Sequence, residues 1–358
     1  MTRMNLAAKT LAVTILFSVA TMGSPASAEA PPYPHSPIIG ELSWDAQVVK
    51  LTDGAGDNWP ITWVEGDLQI TSLGDGPGFS KRKPRLSLGF ARVTGNPPTV
   101  LAEDFVSNID STGGGSKGIK SSALLMVDQT LYLFVRNYKP DGKDFKHSRL
   151  ASSNDRGATW TWADWYFSGT FGCPEFVQFG PSYQGARDGY VYIASQDNDS
   201  AYEFSPNIVL ARVPRESVGQ RGAWEFFAGM DAAAQPTWSA DIANRKPIFT
   251  DPHGTERIAI TYNAGVRRYI LTTPHQPPGI TAMHTPALGV FDAPEPWGPW
   301  TTVSYEDDWA KGSRTYHQKF PSRWMSRDGR TMWLVFSGLD GGYYTFCLRK
   351  ATLKLTAR

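Results

Sequence analysis

Two aspartates bracket the stretch DNWPITWVEGDLQITSLGDG, which runs from residue 57 to residue 76. Asp57 opens it directly after a glycine, and Asp75 lies between two glycines near its end. The residues between them read as two short strands joined at Glu65-Gly66, a hairpin signal. Residue 66 is the midpoint of 57 and 75, so regular pairing would set the two aspartates opposite each other at the open end. Directly opposed residues in an antiparallel ladder have Cβ atoms about 4.5–5.5 Å apart. Two carboxylates at such range are the equipment of glycosidic-bond hydrolysis: one protonates the leaving oxygen, and the other attacks or activates water. A gap near 5 Å favours retention of configuration, and one of roughly 6.5–9.5 Å favours inversion. The same residues have two plainer readings. An aspartate beside glycine often caps backbone amides in a tight turn, and paired aspartates in glycine-rich turns can hold calcium.

What the pair does depends on the elements around its hairpin. Long amphipathic helical patterns are scarce, while 27 Trp and Tyr residues, 34 Gly and 26 Pro point to many short strands joined by tight turns. A strand–turn–strand unit followed by an outer strand pair recurs about every sixty residues along the chain. Its five copies begin at ITWVEGDLQITS, ALLMVDQTLYLFVRN, EFVQFGPSYQGARDGYVYIASQD, RIAITYNAGVRRYILTT and SRWMSRDGRTMWLVFSG. One such unit cannot bury both of its faces alone, and radial packing of four-stranded blades solves this. The expected fold is therefore all-β, a β-propeller of five blades, with seven smaller blades as the alternative. An early strand, residues 38–49, is expected to complete the last blade and close the ring. In this fold the ends of the inner strands line the mouth of a central channel, which places Asp57 and Asp75 at a funnel.

The same geometry nominates residues from the other blades. Arg136 and Asn137 end the second hairpin, opposite Ser121 or Ser122. Asp197 follows the second strand of the third unit, with Glu175 near its partner end. His275 lies just beyond the fourth hairpin; His317 precedes the fifth, and Asp340 follows it. These are candidates to hold sugar hydroxyls or a carboxylate, while Trp59 and Phe79 are candidates to stack on a sugar ring. For each, packing within a loop or core is the competing reading.

The first 28 residues read as an export signal: Arg3 and Lys9, the apolar run LAVTILFSVA, then small residues ending at Ala26–Ala28. An apolar run of about ten residues is too short to span a bilayer. A single propeller domain over residues 29–358, secreted or periplasmic and working as a monomer, is the expectation. The formal net charge is +1 with no basic stripe, so nucleic acid and anionic membranes are poor partners. Cys173 and Cys347 are far apart in sequence, and a disulfide between them stays open. With no CxxC or HExxH pattern, no metal or cofactor is expected beyond the calcium just raised.

SNDRGATW (153–160) fits S-x-D-x-G-x-T-W, the Asp-box turn of sialidase-like propellers, in which the aspartate is structural. SRDGRT (326–331) is a looser relative. TDGAGDNWPITW leading to GDGPGF, with YNAGVRRYILTT and FDAPEPWGPW later on, resembles a family of exported bacterial propellers long classed as a domain of unknown function. Some members of that family are endo-D-arabinanases acting on mycobacterial arabinan. The resemblance implies that Asp57 and Asp75 carry the catalytic roles. The segments GDGPGF and NWP depart from the arabinanase pattern and imply a separate branch. A second resemblance is to secreted propellers that are rhamnosyl-glucuronate lyases, which rely on His, Tyr and Arg. It would draw on His147, His253, His275, His284 and His317, with Arg136 as a uronate clamp. Hydrolysis of a carbohydrate by the aspartate pair is the leading expectation; a lyase or a non-catalytic sugar-binding propeller is the alternative.

Overall fold

The computed structural model describes residues 30–52, 55–142, 145–339 and 344–357. The export signal at 1–28 and Asp340 lie outside the described residues. Five antiparallel sheets follow one another along the chain. Blade one contains Ile61–Glu65, Leu68–Leu73, Gly89–Asn96 and Thr99–Phe105. Blade two contains Lys120–Val127, Thr130–Tyr138, His147–Ser153 and Thr161–Phe167, and blade four contains Ala259–Asn263, Arg268–Thr273, Leu288–Ala293 and Thr301–Glu306. Blade five is built from Thr315–Lys319, Thr331–Gly338 and Phe346–Leu355. Its outer strand is Ile39–Thr52 from the other end of the chain, which runs antiparallel to Phe346–Leu355 and closes the ring as expected.

The first hairpin shows why such sheets pack radially. Gly66, at φ 50°, makes the turn, and Ile61 pairs with Thr71 and Trp63 with Gln69. Ile61 and Leu73 pack with Val335, Phe346 and Leu348 of blade five. Val64 and Ile70 pack with Leu124, Met126 and Leu133 of blade two. The two faces of one sheet thus bury against two different neighbours. Each fully buried aliphatic or aromatic side chain contributes about 1.5–3 kcal/mol to that packing.

Blade three is the irregular one. Its inner strand is only Glu175–Phe176, followed by Tyr190–Gln196, Ser205–Pro214, Glu225–Met230 and Pro236–Ser239. Pro247–Thr255 also pairs with the first half of Ser205–Pro214, making this sheet six-stranded. These added strands are not legible in the sequence, because Pro236, Pro247 and Pro252 interrupt the strand signal. Blade five also differs from expectation. Its inner strand is Thr315–Lys319, not the segment around Trp324, which forms a short 3-10 turn. TYHQK has no apolar alternation, yet all five residues are buried, with Tyr316 bonded to Asp57 and with His317 and Lys319 both on Glu175.

Tight turns tie outer strands together. In the turn at 153–160 the Asp155 carboxylate accepts from the Thr159 amide at 2.8 Å, from the Thr159 hydroxyl at 2.6 Å and from the Ser153 hydroxyl at 2.8 Å. These donors, Thr159 first, hold its pKa down at about 2. Trp160 donates to the Gly157 carbonyl at 2.9 Å and stacks on Phe90 of blade one, linking the two blades. Asp155→Ala is expected to lower Tm by a few degrees, equivalent to about 1 kcal/mol, as for a lost capping side chain. Scanning calorimetry with parallel kinetics checks this; a selective loss of turnover in a fully folded variant would contradict it. Cys173 and Cys347 are both buried and unbridged. Among the described residues, no helix is long and apolar enough to cross a membrane.

Candidate active site

Each blade begins with its inner strand, so the five inner strands run alike and their starting ends gather at one end of the axis. Charged or hydroxylated residues stand there: Asp57 before the first, Lys120 opening the second, Glu175 opening the third, Arg257 before the fourth and Tyr316 within the fifth. A cavity of about 280 Å³ lies at this end. Asp57, Asp75, Lys120 and Arg136 line it from blades one and two. Tyr202, Arg257 and His284 line it from blades three and four, and Arg314, Tyr316 and Tyr344 from blade five.

Both aspartates reach the cavity, but not as directly opposed partners. Asp57 pairs with Gly74: its amide donates to the Gly74 carbonyl at 2.8 Å, and the Gly74 amide returns a bond at 3.0 Å. The register has slipped by one residue from the Ile61–Thr71 ladder, and Asp75 follows in a left-handed conformation at φ 48°. Gly74 is required by this approach, since a Cβ there would lie 2.7 Å from Asp57 Oδ1. The Asp57 carboxylate accepts from Asn58 Nδ2 at 2.7 Å and from the Tyr316 hydroxyl at 3.1 Å. Asp75 is ion-paired with Lys120 through Oδ1, and its carbonyl accepts from Arg85. Lys120 already stands beside Asp75 where a bound cation would sit, and the described residues hold no group of three or more His, Cys, Asp or Glu placed for a metal.

A second layer fixes these groups. The His284 ring stacks on Tyr316 at 4.1 Å, and its Nδ1 faces Glu256 Oε1 at 3.1 Å. Burial favours the protonated form of Glu256, but His284 and Arg257 outweigh it and hold its pKa below the usual carboxylate range. Arg257 donates to Asn58 Oδ1 at 3.0 Å, so blade four braces the residue beside Asp57. Burial, then the adjacent Asp57 charge, pushes the Tyr316 phenol well above its usual pKa. Tyr316 is therefore a protonated donor to Asp57.

The other sequence candidates divide clearly. Arg136 lines the cavity, and Asn137 supports it by donating to the Tyr202 hydroxyl at 2.8 Å. Glu175 and His317 meet, but in a buried cluster on the axis rather than on the cavity wall. His317 Nε2 lies 2.9 Å from Glu175 Oε2, and Lys319 Nζ lies 2.8 Å from the same oxygen. Burial, with Lys319, Arg136 and Arg257 close by, drives the His317 pKa well down. Asp197 stands apart, accepting from Thr170 Oγ1 at 2.7 Å and Arg245 Nε at 2.9 Å. His275 also stands apart, bonded to Asp307 at 2.9 Å and stacked on Tyr305 at 3.8 Å. Trp59 is a core residue with 0 % exposure; its Nε1 donates to the Thr345 carbonyl at 2.7 Å. Phe79 packs against Trp59 and Phe346, so neither aromatic side chain is part of the cavity lining. Sequence reasoning missed Lys120, Tyr202, Arg257, Arg314, Tyr316 and Tyr344 and left His284 among five histidines; the one available signal was a polar residue at the head of each inner strand.

Fold and site together define a five-bladed propeller with a carboxylate-bearing, cation-rich cavity at one end of its axis. The chain belongs to the family described as Domain of unknown function (DUF4185), which matches residues 82–340. Asp57 and Asp75 precede the matched segment. No curated protein matches the sequence. Among solved structures the chain is similar to a candidate exo-beta-1,3-galactanase from Bifidobacterium bifidum s17, with TM-score 0.52, 11% identity, and 85% of this chain and 92% of that one covered. It is similar to a protein of unknown function from Dyadobacter fermentans DSM 18053, with TM-score 0.51, 10% identity, and coverage of 88% and 100%. It is also similar to the GH43_1 enzyme from Xanthomonas citri complexed with xylose, with TM-score 0.50, 12% identity, and coverage of 87% and 94%. At these identities the likeness is one of fold, a fold shared with propeller glycosidases.

Proposed function

We propose that this protein is a glycoside hydrolase, exported and monomeric, whose reaction is carried by Asp57 and Asp75. The observation that carries the reading is that both carboxylates line one axial cavity and that Asp75 also lines a second. The second cavity, about 300 Å³, shares Asp75, Gly115 and Tyr344 with the first and adds Arg85 and Leu86. A side chain at the junction of two adjoining cavities is where a bond between two sugar units would need its acid or base. The donors on Asp57, from Tyr316 and Asn58, fix its orientation so that little reorganisation remains at the moment of reaction. In this reading the turn at 153–160 is an Asp-box with a structural role only.

One observation favours a second reading, a β-eliminating lyase: the cavity wall also carries His284, Tyr202 and several arginines. Tyr316 is a poor base there, because burial keeps its phenol protonated. Products separate the two readings. Incubated with plant, algal and actinobacterial polysaccharides, a hydrolase is expected to release reducing ends with no new ultraviolet absorbance. Product absorbance from a new double bond would reject hydrolysis, and release of nothing from any glycan bound would leave only a sugar-binding propeller.

A further inference from the structure

The far end of the axis has a cavity of its own. It measures about 450 Å³ and is lined by Tyr262 and Tyr269 of blade four, by Arg187 from the loop before Tyr190–Gln196, and by Arg267, Pro294 and Glu295. The strand Ala259–Asn263 starts beside the funnel and ends at this cavity, so about 13 Å of strand, at about 3.3 Å a step, separates the two sites. The ladder brings the lining together. Tyr262 pairs with Tyr269, and Tyr269 pairs with Ala293, the residue before Pro294 and Glu295. The two tyrosine rings lie 4.9 Å apart between centroids. Arg187 Nε meets Glu295 Oε2 at 2.9 Å, and its Nη1 meets Asp188 Oδ2 at 2.8 Å. Tyr269 is only 2 % exposed, yet its hydroxyl has no hydrogen-bond partner among the described residues, and the Tyr262 hydroxyl has none either. Buried tyrosine hydroxyls are normally paired. Burial pushes the Tyr269 phenol above its usual pKa, so it stays a protonated donor. Both hydroxyls thus have donor and acceptor capacity to offer a ligand in the cavity.

We propose that this cavity is a second carbohydrate-binding site, one that takes a neutral glycan, remote from the reaction and independent of the hydrolase reading. A sugar ring presents an apolar face to an aromatic side chain and a rim of hydroxyls, each both donor and acceptor, to polar ones. The half-buried Tyr262 ring meets the face, and the two phenols with the Arg187–Glu295 pair meet the rim. The charges balance, Arg187 and Arg267 against Glu295 and the adjoining Asp188, so an ion gains no net attraction there. A wholly apolar ligand would cover the phenols without bonding them, at a cost. The volume falls within the range of about 300–1,000 Å³ usual for small-ligand sites.

The test is affinity electrophoresis of the protein through gels containing arabinan, arabinogalactan, xylan or, as the acidic control, polygalacturonate. At least one neutral glycan is expected to retard it, with little dependence on salt. Tyr262→Ala should weaken that retardation about ten-fold, with circular dichroism confirming its fold. Tyr269→Phe removes only a hydroxyl that the protein itself does not bond, so it should keep Tm and still weaken retardation several-fold. No retardation by any of the three neutral glycans, stronger retardation by polygalacturonate, or retardation that both variants retain would each overturn the proposal. Release of reducing ends from the same glycans separates this site from the hydrolase reading. Retardation that depends on the two tyrosines but comes without cleavage keeps the site and removes the hydrolase; cleavage without such retardation does the reverse.

Discussion

Asp57→Asn and Asp75→Asn are each expected to lower kcat/KM by about 10³-fold or more on any glycan the protein cleaves, the loss of an acid, base or nucleophile from a two-carboxylate site. Their effects on stability should differ. In Asp57→Asn one of the two donors, Tyr316 or Asn58, meets an amide nitrogen in place of an oxygen, a cost of about 1–2 kcal/mol. In Asp75→Asn the Lys120 ammonium, only 2% exposed, loses its counter-charge. That leaves a buried cation unpaired and costs more, on the order of 3 kcal/mol. A double variant separates the two effects: adding Lys120→Met to Asp75→Asn should recover Tm without recovering turnover. Activity near the wild-type level in either single variant would remove the aspartates from the mechanism.

Trp59→Ala carries the second large effect. The indole is fully buried, contacts Phe79 at 5.2 Å and Phe346 at 5.0 Å between ring centroids, and donates to the Thr345 carbonyl. Removing it opens a cavity between blades one and five and strands that carbonyl. The expected cost is about 3–5 kcal/mol, with a fall in Tm on the order of 10 °C. Asn58 and Trp59 both hold positive φ, at 72° and 48°, so the indole also anchors a strained backbone that leads directly from Asp57. Differential scanning calorimetry checks this, and a Tm within about 2 °C of the wild type would show that the segment is held by something else.

Trp59 also shows where the sequence stops being legible. An aromatic residue two positions from a candidate carboxylate reads the same whether it stacks on sugar or on a neighbouring blade; only the position of Phe346, nearly three hundred residues on, decides it. The blade-one hairpin was legible because alternation and a Glu-Gly turn are local signals, and the aspartates were legible because they flank it. The slip that pairs Asp57 with Gly74 was not, since a bulge leaves little trace in residue type. Lys120 comes from blade two and Arg257 and His284 from blade four, and nothing in their immediate neighbours says that they meet. The buried strand TYHQK hid for a related reason. Its environment is other polar side chains on the axis, so burial does not show as hydrophobicity.

The closing strand has a consequence for how the ring comes into being. Ile39–Thr52 is synthesised first, yet its partner Phe346–Leu355 is synthesised last. Blades one to four can zip up in order as the polypeptide lengthens, but the seam stays unlatched until the final strand emerges, with the flanks of the first and fifth blades wet in the meantime. For a chain exported as proposed, that ordering is an advantage: the thread cannot lock while part of it is still in transit, and the funnel with its charged wall is assembled only at the destination.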